Sequence, residues 1–366
     1  MRVIKVELGE RSYPIYIGSG LLGLLGDKCA KIYEPQNCVV ITDSNVGRLY
    51  AKQAIDNLSA AGFSPFLITL PAGESTKSLR NVEYCYNHIA QKRIERLSFV
   101  VALGGGVIGD LAGFVAATYM RGIGFVQVPT TLLAQVDSSV GGKVGINLKY
   151  GKNLVGSFYQ PNLVLCDIET LNTLSDRELR AGLSEVIKYA VIYDSAMFNR
   201  LEKDIEKLLN KEPKTVASLI ARCCQIKAEV VAADEKESGL RAILNFGHTI
   251  GHALEAITNY KKLLHGEAVA IGQVAAAMIG AMVCNFNETD VQRIKQLIKR
   301  TGLPVCYKLD KASQKKLIEA MKLDKKASGG EAKFVLPTKI GSVKFRQKVP
   351  VEVIEKVVNE ISKCPQ

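Results

Sequence analysis

Ser98-Phe99-Val100-Val101-Ala102-Leu103-Gly104-Gly105-Gly106-Val107-Ile108-Gly109-Asp110 decides how the first half of the chain reads. After Ser98, five apolar residues, two of them β-branched, make a buried strand. The glycines that follow open a helix, so strand, turn and helix succeed one another within a short span. The same alternation extends on both sides. Upstream, residues 38–42 form a strand running into Asp43, residues 47–60 a helix, 66–70 a strand ending at Pro71-Ala72-Gly73-Glu74, and 78–92 a helix. Downstream, 125–128 is a fourth strand ending at Pro129-Thr130-Thr131. Residues 3–8 and 13–17 alternate as an opening hairpin. This pattern predicts an α/β nucleotide-binding domain with a mostly parallel sheet covered on both faces.

The glycine turn has two readings. Glycines let a backbone approach a pyrophosphate closely while the next helix offers free N–H groups and its positive dipole end. They also serve where strand and helix merely pack tightly. The acidic ribose partner expected about twenty residues later in the standard fingerprint is missing. Asp43 and Glu74, each at the carboxyl end of its strand, are candidates to replace it. Beyond the fourth strand, Asp137-Ser138-Ser139-Val140-Gly141-Gly142-Lys143 and Gly151-Lys152-Asn153 are too rich in Gly and Ser for a core helix. They read either as an anion grip using Lys143 and Lys152 or as plain surface loops.

From Ser175 the character changes to long helical patterns at 176–193, 196–209, 213–233, 266–284 and 288–300. The chain therefore divides into an α/β domain, 1–174, and an all-α, mainly helical domain, 175–366. Short strands near 333–337 and 343–346 and a helix from Pro350 finish it. Glu185 and Lys188 are an i, i+3 pair on the first of these helices. Three of the four histidines lie in Asn245-Phe246-Gly247-His248-Thr249-Ile250-Gly251-His252 and His265-Gly266-Glu267. If Gly251 continues a helix, His248 and His252 share one face, and His265 can reach back to the same point. Clustered imidazoles of this kind suit a metal ion or proton chemistry.

The composition sets bounds. At 366 residues, with 47% hydrophobic and 23% charged, the chain is long and apolar enough for two cores. No apolar run reads as long and charge-free enough to cross a bilayer, and the N-terminus lacks the pattern of a signal peptide, so the expected location is cytoplasmic. Nine scattered cysteines without a CxxC pair read as reduced core thiols. The net charge of +12 suits an anionic small molecule. Much of the excess sits in Lys-rich helices such as Lys311 to Lys326, and without Trp or aromatic–basic interleaving neither nucleic acid nor membrane is an expected partner.

The residues quoted above carry a resemblance that runs nearly end to end. With Gly73-Glu74-Ser75-Thr76-Lys77, Gly104 through Gly122, Pro129 through Lys143, Gly151-Lys152-Asn153-Leu154 and Glu185-Val186-Ile187-Lys188-Tyr189, the chain resembles the 3-dehydroquinate synthase family. The family fold is an α/β nucleotide-binding domain followed by a helical domain, with the site in the cleft between. The resemblance implies Glu185, His248 and His265 as ligands of Zn2+, with Co2+ compatible with the same donors. It implies NAD over Gly105, Gly106 and Asp110, with Asp43, Glu74, Lys77, Thr130 and Thr131 around it and Lys143 and Lys152 added as anion-gripping candidates. It places Asp137, Lys143, Asn153, Lys188, Lys227, Arg241, Asn245, His252 and Lys326 around 3-deoxy-D-arabino-heptulosonate 7-phosphate, with Arg121 reaching the phosphate across a homodimer interface.

The implied reaction is a transient oxidation by NAD, loss of phosphate, re-reduction, ring opening and an intramolecular aldol closure to 3-dehydroquinate. His252 is a candidate for proton transfer. Leu323 stands where many members carry His, and Val144 where Thr is frequent. Another sugar-phosphate cyclase, or a metal-dependent polyol dehydrogenase, would share much of this pattern.

Overall fold

The computed structural model describes residues 1–323 and 332–364. It separates into two compact units, Met1–Leu174 with Pro213–Lys236, and Ser175–Glu212 with Glu237–Gln366.

The first unit is built on a seven-stranded sheet. In chain order it contains β1 (Arg2–Val6), β2 (Tyr13–Gly18), α1 (Leu25–Cys29), β3 (Asn37–Asp43), α2 (Lys52–Ala60), β4 (Ser64–Leu70) and α3 (Leu79–Gln91). Then follow β5 (Phe99–Gly104), α4 (Gly106–Thr118), β6 (Gly124–Pro129), a β7–β8 hairpin (Lys143–Leu148, Gly151–Phe158) and β9 (Leu163–Asp167). The sheet order is β1-β2-β9-β6-β5-β3-β4, and every pairing is parallel except β1 with β2. Strands β5 and β9 are buried at every residue, as continuous apolar runs in a parallel sheet must be when both faces are covered. One face packs α3 and α4 on Val39, Ile41, Val100 and Phe125, and the other packs α1 and α2 on Val40, Val101, Val126 and Leu165.

Chain direction along the sheet reverses between β3 and β5. The β3–β4 connection runs one way and the β5–β6 connection the other, which makes the carboxyl ends of these strands a topological switch point. Asp43 ends β3, Gly104 ends β5, and Gly105 caps α4.

The second unit holds α5 (Asp176–Tyr193), α6 (Ser195–Leu209), α8 (His248–Ile257), α9 (His265–Val283), α10 (Glu288–Arg300), α11 (Lys311–Leu323), the β10–β11 hairpin (Lys333–Lys339, Ser342–Lys348) and α12 (Val351–Ile361). It is therefore mainly helical, and its hairpin keeps it from being all-α. Ser175 caps α5 by accepting from the Glu178 N–H, which starts the helix where the strand pattern ends.

Three expectations are corrected. Helix α7 (Pro213–Ala233) belongs to the first unit, because it packs on β1, β2 and the turn at 134–138. It is anchored there by Lys227 to Asp137 and by a bidentate Arg11–Glu235 pair just beyond its end. Cys306 and Cys364 form a disulfide, their Cα atoms 5.6 Å apart, whereas Cys29, Cys38, Cys85, Cys166, Cys223 and Cys224 are buried free thiols as read. Helix α9 does reach the length and mean hydropathy of a bilayer span, and 72% of that window is buried, which accounts for its composition as a core helix.

Candidate metal and nucleotide sites

Within the second unit, α5, α8 and α9 bring three side chains together. Gly247 adopts φ 80°, a left-handed turn that sets His248 as the first residue of α8. Gly251 does continue that helix, and the His248 and His252 rings lie 5.3 Å apart. His265 is the first residue of α9, and its ring centroid is 5.4 Å from that of His248. Close helix contact makes this convergence attainable: a Cβ on Gly272 would collide with the Gly247 carbonyl, and one on Gly266 with the Ala181 carbonyl.

Glu185 is 1% exposed on α5. Its Oε2 faces the Lys188 ammonium, also 1% exposed, as an i, i+3 ion pair. Its Oε1 makes no hydrogen bond and faces Nε2 of His248 at 3.6 Å and Nε2 of His265 at 3.8 Å. Those separations exceed hydrogen-bond length. They approach the spacing of about 3.3 Å between ligands that each sit about 2.0 Å from a tetrahedral ion. The carboxylate and both imidazoles offer ligand atoms within 4.8 Å of one another.

The outer ring nitrogens are engaged as metal-bound histidines require: Nδ1 of His248 lies 3.1 Å from the Phe246 carbonyl, and Nδ1 of His265 lies 3.0 Å from Oε2 of Glu255. Burial, then the Lys188 charge, drives the His248 pKa well below its ordinary value, so the ring is neutral and its Nε2 lone pair is available. Burial, the largest single influence, pulls His265 the same way, but the Glu255 hydrogen bond and the Glu255 and Glu185 charges together outweigh it and leave that pKa raised. The donor set of one carboxylate and two imidazoles fits a zinc-type ion with open positions.

In the first unit the residues implied for the nucleotide gather at the switch point. Lys77, 4% exposed, donates to Asp110 Oδ2 at 2.6 Å and also reaches Asn153 Oδ1. Asp110 lies on α4, where burial raises its pKa against the opposing pull of Lys77. Asn147 bridges Glu74 (2.8 Å) and the Asn153 N–H (3.0 Å), while Lys152 lies 3.8 Å from Glu74. Asp43 instead turns back to accept from Asn45 and Val46 N–H groups. Thr131 caps Ala134, and the buried Thr130 hydroxyl has no hydrogen-bond partner.

The tight-packing reading of the glycines holds in part. A Cβ on Gly105 would meet Thr131 at 3.0 Å, one on Gly106 would meet Ser138 at 3.0 Å, and one on Gly109 would press on Gln127 at 2.9 Å. Gly105 and Gly106 nevertheless open the helix at the switch point, where backbone access to a pyrophosphate also lies.

Lys227 donates to the Asp137 carbonyl at 2.7 Å and lies 3.0 Å from its carboxylate, so two implied substrate residues meet within the first unit. Lys143 is exposed at the start of β7, and Arg121 is exposed at φ 67°. Arg241 is 2% exposed in the 3-10 turn at Leu240–Asn245, and Asn245 donates to Glu237 at 2.7 Å. His252 is exposed on α8. Lys326 lies outside the described residues. Glu255 and Glu237 were not singled out from sequence. Glu255 follows His252 by three residues, a helical spacing that could have flagged it.

Architecture and ligand cluster place the chain in the class of sugar-phosphate cyclases. Its structure superposes on 2-epi-5-epi-valiolone synthase from Streptomyces hygroscopicus subsp. jinggangensis, solved with NAD+ and Zn2+ bound, with a TM-score of 0.88 and 28% identity, over 99% of each chain. It also matches a 2-deoxy-scyllo-inosose synthase complexed with carbaglucose-6-phosphate, NAD+ and Co2+, with a TM-score of 0.87 and 27% identity, over 98% of this chain and 100% of the other. Within that class the chain belongs to the 3-dehydroquinate synthase family: residues 67–181 match the family's N-terminal model and 182–327 its C-terminal model. The 3-dehydroquinate synthase of Crocosphaera subtropica is 47% identical over 98% of this chain and 99% of the relative.

Proposed function

We propose that this chain is a phosphate-eliminating lyase that converts 3-deoxy-D-arabino-heptulosonate 7-phosphate to 3-dehydroquinate and inorganic phosphate. On this reading it uses NAD catalytically and one divalent metal ion, zinc or cobalt. The observation that carries the proposal is the unpaired Glu185 Oε1 facing two imidazole Nε2 atoms at 3.6 and 3.8 Å, in a chain of this family.

When bound, the metal supplies Lewis acidity at a substrate alcohol and NAD a reversible hydride acceptor. The protein's own groups do the rest. Glu185, His248 and His265 hold the ion. Lys188, pinned by Glu185 at 1% exposure, presents a fixed ammonium to an anionic oxygen. Arg241 and Asn245 are assigned to the substrate carboxylate and hydroxyls, and Lys227, held by Asp137, to a second anionic group. His252, exposed beside His248, is assigned proton transfer during ring opening. Lys77 and Asp110, with Glu74, Lys152, Thr130 and Thr131, would bind NAD along the carboxyl ends of β3 and β5.

Arg121 and Met120 both hold left-handed backbone angles, φ 67° and 48°. On this reading the exposed Arg121 reaches the phosphate on a second subunit of a homodimer. Cytoplasmic residence, without nucleic-acid or membrane partners, completes the proposal.

The test is to incubate purified protein with the heptulosonate phosphate, zinc and substoichiometric NAD while following phosphate and absorbance at about 340 nm. Phosphate should accumulate well beyond the NAD present, with no net NADH. Stoichiometric NADH would point to a polyol dehydrogenase. Turnover only of sugar phosphates lacking a carboxylate would point to another cyclase.

A further inference from the structure

We propose that Glu255 is a positioning residue that sets the metal affinity of the site by orienting and polarising His265; this rests on the metal reading above. Glu255 is 4% exposed on α8, three residues after His252 and seven after His248. Burying a carboxylate is costly unless a donor meets it. Here the donor is the imidazole of His265, whose Nδ1 lies 3.0 Å from Oε2.

His252, Glu255 and His265 also offer ligand atoms close enough to form a second ligand cluster overlapping the first. The geometry favours a backing role. A separation of 3.0 Å is hydrogen-bond length and shorter than the spacing of about 3.3 Å between two ligands of one tetrahedral ion. Glu255 therefore accepts a hydrogen bond from Nδ1–H, fixes the tautomer and leaves the Nε2 lone pair aimed at the side where Glu185 Oε1 lies 3.8 Å away.

The two histidines are backed unequally. His248 faces a neutral carbonyl, that of Phe246, whereas His265 faces a carboxylate. A carboxylate makes the imidazole a stronger donor than a carbonyl does. This points to His265 as the electronically richer imidazole of the two, and to Glu255 as the cause.

The experiment measures zinc affinity of the metal-free full chain by chelator competition, for wild type, Glu255→Ala and Glu255→Gln, with thermal melts of each metal-free protein. Wild type should bind one zinc. Glu255→Ala should bind it roughly 10–100-fold more weakly. Glu255→Gln retains a neutral acceptor, so it should fall between the two, and its metal-free melting temperature should stay close to wild type. If Glu255→Ala does not fold, the Gln variant carries the test alone. Wild-type affinity in Glu255→Gln together with Glu255→Ala, or in Glu255→Gln alone if Ala does not fold, overturns the proposal while leaving the metal reading intact. Wild type that binds no zinc overturns both.

Discussion

Lys77 donates to Asp110 at 2.6 Å from a side chain only 5% exposed, so a buried ammonium neutralises this carboxylate of α4. Removing one partner of such a pair leaves the other charge uncompensated where solvent reaches it poorly. Lys77→Ala is expected to cost about 3 kcal/mol in urea unfolding and to weaken NAD binding. A double substitution, Lys77→Met with Asp110→Leu, should recover most of the stability and none of the NAD affinity. If the single and double variants are equally unstable, the pair is not what holds this region.

Metal removal should register in stability as well as in turnover. Free zinc about 100-fold above its dissociation constant stabilises the native state by about 2.7 kcal/mol, on the order of 5 °C in melting temperature for a chain of this size. Dialysis against a chelator should abolish activity and lower the melting temperature, and zinc should restore both. His248→Ala, lacking one of three ligands, should melt at the same temperature with and without zinc.

Glu267 supplies a pH-dependent contribution at the start of α9. It accepts from the Leu264 N–H at 2.8 Å and pairs with Arg177 through both oxygens at 2.7 and 2.8 Å. Burial alone would raise its pKa, but Arg177 and the Leu264 hydrogen bond together carry it below the ordinary 4.5. With the folded pKa below the unfolded one, the stabilisation is fully present above the unfolded value. It is lost as pH falls through the folded value. Glu267→Gln should therefore be about 1 kcal/mol less stable than wild type at neutral pH. The two should converge in acid below that folded pKa. A difference unchanged at low pH would assign the effect to packing.

Gly272 is where α9 meets the turn that presents His248. A methyl group there would collide with the Gly247 carbonyl oxygen, a backbone atom that cannot rotate away. Gly272→Ala should destabilise the protein by about 3 kcal/mol and, by prising α8 from α9, should also lower zinc occupancy. Wild-type occupancy would show that the helix contact and the ligand geometry are independent.

The α/β alternation was legible because buried parallel strands such as β5 and β6 are short apolar runs that end in glycine or proline. The helices of the second unit were legible from their periodicity. The β7–β8 hairpin read as loop because Gly145 and Gly156 interrupt its alternation. A Cβ on Gly145 would press on the Val155 carbonyl at 2.6 Å, and one on Gly156 on the Gly145 Cα at 3.1 Å, so glycine is needed where the two backbones cross. Strand β9 was missed although Leu163-Val164-Leu165-Cys166 is an apolar run of the right length.

Helix α7 carries no local mark of which unit it joins, because that depends on Lys227 finding Asp137 far away in sequence. The same holds for Cys306 and Cys364, whose separation of 58 residues leaves pairing invisible until the chain is folded. In the metal cluster the histidine spacing was legible. The contribution of Glu185 came from resemblance, and Glu255 shows its part only once α8 and α9 are set side by side.

Anomalous diffraction at the zinc absorption edge, from crystals grown with zinc, tests the central claim most directly. A single strong peak about 2.0–2.2 Å from a Glu185 oxygen, His248 Nε2 and His265 Nε2 is the predicted result. No peak there, or a peak held by His252 and Glu255 instead, would contradict it.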